Sequence, residues 1–376
     1  MKQPVIGIVG GGQLGRMLAL AAAPLGFKVA VLNPAPGSPA AQVGAEEIVG
    51  DLYDRKALQK LAGRADFLTV EIEHLDAAIL EEIAASGTPV NPAPATVRMI
   101  QDKLRQKEFL EAAGVPVAPF QEIADEAAAL EALEAFGGRM LIKTRHGAYD
   151  GRGNMAVKSP VDVTEAFKVF TGKQLYAERF IPFEKELAVM IVRDVKGNTA
   201  VYPVAETVHE RNICLEVTAP APVSDKHRQE AGRIARKVAG LLDGAGAFGI
   251  EMFLTKDGMV LVNEIAPRVH NSGHYTMDAC RTSQFEQHIR AIAGLPLGPT
   301  ELVVPAAAMV NILGERNGPT EVKGLGKALS TPYTNVHIYG KSPTKIDRKM
   351  GHVNATGDNV EEALKRARSA RKALDI

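Results

Sequence analysis

The sequence predicts a mixed α/β and α+β protein of three domains, and three observations support that prediction. The chain has 376 residues, which suggests two to three domains at roughly 150 residues each. Short apolar runs alternate with helical spacing in the first hundred residues, a pattern typical of a doubly wound domain around a parallel sheet. A proline-rich segment at 91–94 separates this part from an α+β middle, and a second one at 295–300 separates the middle from a β-rich end. We therefore expect domains at 1–98, 99–294 and 295–376.

The N-terminal elements follow from hydrophobic periodicity. The predicted strands are apolar runs rich in β-branched residues, and they cover Val5–Val9, Lys28–Leu32, Asp66–Val70 and Thr88–Val90. The predicted helix runs from Gln13 to Ala23 and is closed by Pro24 and Gly26. Strand, helix and strand in succession predict parallel pairing.

The later elements are marked by caps and by further apolar runs. Ser283 and Glu286 form a capping box for a helix that ends at Gly294. Strands are predicted at Ala306–Leu313 and Asn335–Tyr339. A final helix is predicted to be capped by Asp358 and Glu361, with its apolar side at Val360, Leu364 and Leu374.

Composition excludes several classes of function. Forty-four basic residues balance forty-four acidic ones, so neither nucleic-acid binding nor attraction to an anionic membrane is indicated. The two cysteines, Cys214 and Cys280, cannot build a disulfide framework or a cysteine-rich zinc site. No apolar run approaches the ~20 residues that span a bilayer. We expect a cytoplasmic protein.

A first glycine motif, Gly10-x-Gly12-x-x-Gly15, follows a strand and opens a helix, as a dinucleotide-binding fingerprint does. The carboxylate that should receive the ribose at the end of the second strand is absent, because Asn33 and Pro34 stand there. An NAD-linked oxidoreductase is therefore disfavoured. Two interpretations stay equally open: a tight turn packed on its own sheet, or contact with a phosphate or polar substrate.

A second glycine-rich segment at 146–154 follows a strand that carries Lys143. A lysine on a rigid strand beside a flexible loop of backbone N–H groups is suited to binding a triphosphate. The segment is not a P-loop, since no Gly-Lys-Ser/Thr begins a helix. The alternative is a glycine-rich hairpin with solvated charges.

A hairpin is predicted around Asp257 and Gly258, which lie between two apolar runs. With those two residues as the loop, Glu251 stands directly across from Glu264. Opposed like charges are unfavourable in a sheet, so a bound Mg²⁺ is the favoured explanation. A bulge that shifts the register, or neutralisation by Lys or Arg neighbours, is the alternative.

The segment after this hairpin gathers polar groups suited to an oxyanion. Arg268, His270, Asn271, Ser272 and His274 lie within seven residues, and Arg268 offers a planar fork for carboxylate or carbonate. A second basic run covers residues 345–352, for which a solvated surface is the commoner explanation.

These segments together carry a family resemblance. The motifs are, in chain order, GGGQLGRM at 10–17, TVEIEH at 69–74, QDK at 101–103, KTRHGAYDGRGN at 143–154, ERFI at 178–181, NEIAPRVHNSGH at 263–274 and TSQFEQH at 282–288. The chain resembles the ATP-grasp enzymes, and among them the N5-carboxyaminoimidazole ribonucleotide synthetases of purine biosynthesis. The resemblance implies an ATP-grasp architecture: a doubly wound N-terminal domain, a two-lobed ATP-binding domain and a small β-rich C-terminal domain.

The resemblance also implies the reaction and its participants. ATP, bicarbonate and aminoimidazole ribonucleotide would give N5-carboxyaminoimidazole ribonucleotide, ADP and phosphate through carboxyphosphate, with ATP and Mg²⁺ as cofactors. A homodimer is implied, and a mutase that consumes the product. The sister enzyme, formate-dependent glycinamide ribonucleotide transformylase, is the main alternative; it is disfavoured because residues 270–274 match the carboxylating family better. A non-catalytic ATP-binding module is disfavoured because all the charged groups are retained.

Site residues follow from the same resemblance. The residues implied for bicarbonate and its activated form are Tyr149, Arg268, His270 and Asn271. Those implied for ATP are Lys103, Lys143, Ala148, Tyr149, Asp150, Gly151, Arg152, Gly153, Asn154, Glu178, Arg179, Phe180, Ile181, Glu186, His209, Asn263 and Glu264. Glu251 and Glu264 would hold Mg²⁺. The ribonucleotide would be positioned by Gln13, Glu73, Arg152, Arg348 and Lys349.

Three positions depart from the family pattern. Ala148 replaces a glycine of the lid, Val269 stands where the family usually has proline, and Ala266 stands where the wider superfamily often has asparagine. If the lid position needs a positive φ, Ala148 costs stability or loop mobility. None of the three removes a charged group, so we expect them to affect rates and not the reaction class.

Overall fold

The N-terminal part of the chain is a doubly wound α/β unit. The computed structural model describes residues 3–147 and 153–376. Five parallel strands lie in the order β3-β2-β1-β4-β5. The elements in chain order are β1 (Val5–Val9), α1 (Gln13–Ala22), β2 (Lys28–Asn33), β3 (Glu46–Val49), α2 (Arg55–Ala62), β4 (Phe67–Val70), α3 (Ala77–Ala85), β5 (Val90–Asn91) and α4 (Pro94–Gln101).

The predicted elements of this unit are confirmed, with boundaries shifted by one or two residues: α1 ends at Ala22, β2 ends at Asn33 and β4 begins at Phe67. Ile6, Ile8 and Leu32 are fully buried, as expected for parallel strands covered on both faces. The fifth strand begins later than expected, at Val90 and not Thr88. It extends to Asn91 because the Asn91 side-chain oxygen accepts a hydrogen bond from the Ala245 N–H at 2.9 Å, which fixes this strand end to the central part of the chain.

A small antiparallel sheet forms the first lobe of the central region. Its strand order is β6-β9-β7-β8. The elements in chain order are α5 (Lys103–Ala112), β6 (Phe120–Ile123), α6 (Glu126–Ala135), β7 (Met140–Thr144), β8 (Asn154–Val157), α7 (Pro160–Val169) and β9 (Leu175–Arg179).

A large sheet joins the second lobe to the C-terminal part. Its strand order is β15-β14-β10-β12-β13-β16-β18-β17, with β11 paired to β10. The elements of the second lobe are β10 (Phe183–Arg193), β11 (Thr199–Val201), β12 (Ala205–Glu210), β13 (Ile213–Ala219), α8 (Asp225–Leu241), β14 (Gly246–Thr255), β15 (Val260–Ala266), α9 (Thr276–Ala279) and α10 (Gln284–Ile292). The C-terminal elements are β16 (Ala306–Leu313), α11 (Leu325–Leu329), β17 (Thr334–Ile338), β18 (Lys349–Gly357) and α12 (Val360–Lys372). Because β13 pairs with β16, the C-terminal strands extend the central sheet.

The hairpin between β14 and β15 pairs Glu251 with Glu264 as predicted, but its loop length and its register differ from the prediction. The loop holds three residues and not two, since the Thr255 N–H donates to the Met259 carbonyl and Gly258 takes a left-handed φ of 83°. With that turn and regular pairing, Glu251 would not lie directly across from Glu264. An irregularity next to Met252 adds one residue to β15 and restores the pair.

The helix caps are confirmed for α10 and corrected for α12. The Ser283 hydroxyl accepts from the Glu286 N–H at 3.1 Å, as predicted. In α12 the cap is Asn359 and not Asp358, because the Asn359 side chain accepts from the Glu362 N–H at 2.9 Å. Leu374 is buried and Leu364 packs against the same core, as predicted. The fully buried residues within α12 are alanines, which allow close approach to β16 and β18: Ala363, Ala367 and Ala370.

Features expected from composition are seen in the described residues. Cys214 and Cys280 are both free thiols. Within residues 3–147 and 153–376, no helix is both long and apolar enough to cross a membrane.

His288 on α10 joins three parts of the molecule. The Ala247 N–H on β14 donates to its Nδ1 at 3.0 Å, so the proton lies on Nε2, which donates to the Thr69 hydroxyl of β4 at 2.8 Å. The ring is fully buried, and burial lowers the pKa of His288 to about 4. The neutral imidazole is therefore part of the contact between the N-terminal sheet and the central sheet.

We predict that His288→Asn removes a pH-dependent part of the stability. The unfolded state, with an ordinary histidine pKa of about 6.5, binds more protons than the folded state between pH 6.5 and 4. The wild-type free energy of unfolding therefore loses about 3 kcal/mol from this group as the pH falls through that window. Asn keeps an acceptor for the Ala247 N–H but cannot titrate, so the stability gap between wild type and variant narrows towards pH 4 in urea unfolding.

Thr69→Val is the matched control for this prediction. It removes the Nε2 hydrogen bond but leaves the imidazole buried. It should therefore lower stability by a similar amount at every pH. The prediction would be wrong if the free energy of unfolding changed with pH by the same amount in the wild type and in His288→Asn.

Candidate active site

Most of the residues expected to form the site line one cavity of about 1010 Å³. The N-terminal unit, both central lobes and the C-terminal strands all contribute to its wall. The predicted residues that line it are Gln13, Glu73, Lys103, Lys143, Asn154, Glu186, His209, Glu251, Asn263, Glu264, Arg268, His270, Asn271, Arg348 and Lys349. Ala148, Tyr149, Asp150, Gly151 and Arg152 fall outside the described residues.

Residues 178–181, which were expected to contact ATP, are not among those that line this cavity. The Arg179 N–H donates to the Pro119 carbonyl at 2.8 Å, and the Phe180 N–H donates to the Arg139 carbonyl at 3.3 Å. These two amides would have to exchange partners to bind a nucleotide. The Gly153 carbonyl also has a partner within the protein, because it accepts a hydrogen bond from the Thr144 N–H at 2.8 Å.

Two opposed carboxylates lie at the centre of the cavity. Glu251 on β14 pairs in register with Glu264 on β15. Lys103 donates to the Glu264 Oε2 at 2.9 Å, and it holds the pKa of Glu264 below its usual value although burial acts to raise it. No lysine or arginine in the described part of the chain pairs with Glu251, and burial together with Glu264 raises the pKa of Glu251 to about 7. One of the two charges is therefore compensated and the other is not.

This donor set fits a divalent cation that takes its remaining ligands from elsewhere. Among residues 3–147 and 153–376, no three His, Cys, Asp or Glu side chains converge on one metal position. Two carboxylates are nevertheless what Mg²⁺ commonly takes from a protein when nucleotide phosphates and water supply the other oxygens. The uncompensated charge of Glu251 is an independent sign of the fit, because a cation would relieve it.

Glu73 and Arg268 bind each other, which the sequence did not indicate. Arg268 reaches the Glu73 carboxylate with Nε at 2.5 Å and Nη2 at 2.9 Å, a bidentate pair. Burial acts to raise the pKa of Glu73, but Arg268 outweighs it and lowers the value to about 2. The guanidinium predicted to hold an oxyanion thus already has a carboxylate on one edge.

His270 is a neutral imidazole aimed at the paired carboxylates. Its Nδ1 lies 2.8 Å from the Ser272 hydroxyl and faces the Ser272 N–H at 3.4 Å, so the ring proton lies on Nε2. Nε2 is 3.6 Å from a Glu251 oxygen. Burial first, and then the charge of Arg268, lower the pKa of His270 to about 3. Gly249 is needed beneath this ring, since a Cβ there would lie 2.7 Å from the His270 Cβ.

Asn271 is held by a residue of the C-terminal strands that sequence reasoning missed. Asn271 donates to the Asn311 side-chain oxygen at 3.1 Å, and Asn311 donates back at 2.6 Å and to the Cys214 carbonyl at 2.8 Å. A second brace comes from Asn354, whose amide donates to the His274 carbonyl at 2.9 Å. Asn311 is an isolated polar residue within the apolar run of β16, which is a sequence signal that could have identified it. Asn354 has no such signal, because it lies between His352 and Thr356 on β18.

The predicted basic run at 345–352 divides between cavity and core. Arg348 and Lys349 line the cavity. His352, in contrast, is fully buried: its Nδ1 hydrogen-bonds the Tyr339 hydroxyl at 2.9 Å, and its ring stacks on His337 with centroids 4.5 Å apart. The solvated-surface interpretation is therefore wrong for His352, whereas Arg348 and Lys349 are half-buried.

The first glycine motif is occupied by the protein itself. The Glu71 carboxylate accepts hydrogen bonds from the N–H groups of Gly12 and Gly15 at the start of α1. A Cβ on Gly10 would lie 2.3 Å from the Glu71 Cγ, so the glycine serves this close approach. The structure thus supports the internally packed turn, with Glu71 standing where a dinucleotide phosphate would bind.

Glu186 and His209 form a pair on neighbouring strands of the large sheet. The Glu186 Oε2 lies 2.5 Å from the His209 Nδ1. Burial acts to lower the pKa of His209, but Glu186 outweighs it and the net direction is upward. Both line the cavity on the side of β10 and β12, away from Arg268.

Three family profiles match successive parts of the chain. They are the ribonucleotide synthetase preATP-grasp domain at residues 1–101, the ATP-grasp domain at 108–285 and the phosphoribosylaminoimidazole carboxylase C-terminal domain at 307–366. The N5-carboxyaminoimidazole ribonucleotide synthetase of Thermotoga maritima is 44% identical, with a TM-score of 0.90 over 99% of both chains. The chain belongs to this synthetase family.

Two further relatives of the synthetase family bear on the ligands and the length. The Aspergillus clavatus enzyme, solved with ADP and 5-aminoimidazole ribonucleotide, is 38% identical, with a TM-score of 0.91 over 99% of this chain and 98% of that one. The phosphoribosylaminoimidazole carboxylase of Ogataea methanolica is 46% identical over 97% of this chain and 69% of its own length. The chain thus spans about two thirds of the length of that fungal relative.

We predict that Asn311→Ala destabilises the protein by about 2 kcal/mol, because the variant removes the hydrogen bonds that Asn311 donates to the Asn271 side chain and the Cys214 carbonyl and the one that it accepts from Asn271. Urea unfolding at neutral pH measures the loss. Asn335→Ala, at an exposed position on the adjoining β17, is the matched control and should change stability by less than about 0.5 kcal/mol. Equal losses in the two variants would argue against the brace.

Proposed function

We propose that this chain carboxylates 5-aminoimidazole ribonucleotide with bicarbonate at the expense of ATP, giving N5-carboxyaminoimidazole ribonucleotide, ADP and phosphate. It is an ATP-dependent carbon–nitrogen ligase of purine biosynthesis. The observation that carries the proposal is the union in one cavity of a Mg²⁺-type carboxylate pair, Glu251 and Glu264, with the oxyanion loop at Arg268 and His270. Membership of the synthetase family supplies the substrates.

The nucleotide occupies the part of the cavity between the two lobes. Lys103 and Lys143 approach from α5 and β7 and meet the phosphates as point charges. Glu186, oriented by His209, accepts from the ribose hydroxyls. Asn154, and the lid that includes Ala148–Gly153, would close over the phosphates.

Glu251 and Glu264 would hold Mg²⁺, with Asn263 beside them. When bound, the metal would supply positive charge that offsets the negative charge on the transferring phosphoryl group. Glu251 would then be ionised, because the cation would compensate the charge that burial and Glu264 otherwise disfavour.

Bicarbonate lies on the side of the pair where Arg268, His270 and Asn271 converge. Bicarbonate is a weak electrophile, so one of its oxygens first attacks the γ-phosphorus; ADP leaves and carboxyphosphate forms. Arg268 stabilises the anion with the guanidinium edge that Glu73 does not occupy. His270, neutral with its proton on Nε2, acts as a hydrogen-bond donor and adds no competing charge. Tyr149 is proposed to contact the same anion.

The ribonucleotide enters from the N-terminal side, near Gln13 and Glu73, and its phosphate meets Arg152, Arg348 and Lys349. The exocyclic amine attacks the carbonyl carbon of carboxyphosphate, or CO₂ released from it; phosphate leaves and the amine loses one proton. Water must be excluded because carboxyphosphate hydrolyses readily, which is the role proposed for the lid.

We further propose that the chain acts in the cytoplasm as a homodimer and hands its product to a mutase. The product is an N-carboxylate that readily loses CO₂, so a consuming enzyme is chemically required. The two free thiols fit a reducing compartment.

The decisive experiment is ADP release by the purified chain with Mg-ATP. We expect ADP formation to require both aminoimidazole ribonucleotide and bicarbonate, and to fall to the background rate when either is left out. Formate with glycinamide ribonucleotide serves as the comparison pair of substrates. A response to that pair, with none to the first, would leave the fold standing and overturn the substrate assignment.

We predict that Arg268→Ala lowers kcat/KM for bicarbonate by roughly 1000-fold, the scale of losing a main oxyanion donor. ATP affinity should change by less than about threefold, because Arg268 follows β15, whereas Glu186 and His209 lie on β10 and β12, which are not adjacent to β15 in the sheet. Arg268→Lys keeps the charge but loses the bidentate contact with Glu73, so it should recover only a part of the rate. Undiminished turnover in the alanine variant would refute the role.

A further inference from the structure

Lys107 is a buried ammonium that none of the roles above employs. It lies on α5, one helical turn after Lys103 and on the same face. Its Nζ lies 3.1 Å from the Glu178 Oε2 and donates to the Val262 carbonyl at 3.3 Å. Its side chain is 2% exposed although it reaches the wall of the cavity. The charge of a lysine buried to this degree needs an anionic partner, and Glu178 is that partner.

Glu178 is shared between two lysines. Its Oε1 lies 3.1 Å from the Nζ of Lys143, and its Oε2 faces Lys107 at the same distance. The arrangement follows from the sheet: Lys143 on β7 stands across from Tyr176 on β9, and Glu178 is two residues further along the same face. The cluster of Lys107, Glu178 and Lys143 therefore carries one net positive charge.

The members of this cluster differ in access to the cavity. The Lys143 side chain is 10% exposed and lines the cavity, whereas the Glu178 carboxylate is 2% exposed. Burial acts to raise the pKa of Glu178, but the two lysines outweigh it, so the carboxylate is ionised and holds both ammoniums. Among the described residues, the Glu178 Oε2 accepts no hydrogen bond of regular geometry, so the charge of Lys107 is its compensation.

The sharing determines how much of the Lys143 charge a phosphate can use. With Lys107 present, Glu178 orients Lys143 without neutralising it. Without Lys107, the carboxylate would pair with Lys143 alone, and a phosphate that drew Lys143 away would leave a buried carboxylate uncompensated. The consequence would be weaker binding of phosphorylated ligands and unchanged binding of adenosine.

We infer that Lys107 is a positioning residue of the nucleotide site, acting through the Glu178 carboxylate on the ammonium of Lys143. This inference rests on the proposed ATP site at Lys143. It assigns Lys107 no contact with the nucleotide, which separates it from Lys103 on the same helix.

The test is a double-mutant cycle on ATP affinity by calorimetry, with adenosine as the ligand that lacks phosphates. Lys107→Met should weaken ATP roughly tenfold, in the usual range for coupled charges, and leave adenosine unchanged. In the Glu178→Gln background, Lys107→Met should have no effect on ATP, because the carboxylate through which it acts is neutral. This second arm remains decisive if the single Lys107 variant fails to fold.

Three results would overturn the inference. Wild-type ATP affinity in Lys107→Met would make Lys107 purely structural. An equal loss of ATP affinity on Lys107→Met in both backgrounds would mean direct contact with the nucleotide. A parallel loss for adenosine would mean general damage to the site. Lys237→Met, at a surface lysine that donates to the Gly114 carbonyl, is the matched control and should bind ATP as the wild type does. Absence of ATP binding by the wild type would instead refute the proposed function.

Discussion

The site depends on the placement of two carboxylates opposite each other in an antiparallel hairpin. Glu251 and Glu264 are in register, and among the residues that the structure describes, Lys103 puts an ammonium within hydrogen-bond distance of Glu264 alone. A sheet tolerates this pair only when a further positive charge or a proton is supplied. The arrangement thus carries an electrostatic deficit that Mg²⁺ can fill, and neighbouring elements are organised around it: α5 brings Lys103, and the loop after β15 brings His270.

The large sheet extends that organisation into the C-terminal strands. Asn311 on β16 and Asn354 on β18 are buried polar residues that hydrogen-bond the loop following β15. The Asn311 side chain bonds Asn271 and the Cys214 carbonyl, and the Asn354 amide bonds the His274 carbonyl and the Asp278 carboxylate. Among the described residues, the Asn354 side-chain oxygen accepts no hydrogen bond. The strands therefore do more than cover an apolar core: they fix the backbone that presents Asn271 and His270 to the cavity.

The sequence was sufficient for the fold and for most of the cavity lining, because both depend on local patterns. Apolar periodicity predicts the strands, and motif identity places Lys103, Arg268 and Glu251. The β14–β15 loop shows the limit of such reasoning: the glutamate pairing is as predicted, but a longer turn and a compensating irregularity produce it together. Glu71, Lys107 and Asn311 were missed because their partners are distant in sequence, and no periodicity encodes a partner.

Several of the groups proposed to bind substrates already have a partner within the protein. Glu73 occupies one edge of Arg268, Glu264 binds Lys103, and Glu178 binds Lys143. Substrates that use these groups exchange one ionic partner for another, so the net gain is smaller than the new contacts alone would give. The internal pairs also hold each charge in place before substrate arrives, which lowers the reorganisation needed during phosphoryl transfer. The internal pairs therefore lower the affinity for substrates and increase preorganisation. The limiting case lies at the start of α1, where the Glu71 carboxylate occupies the Gly12 and Gly15 N–H groups and leaves no place for the phosphate of a ligand.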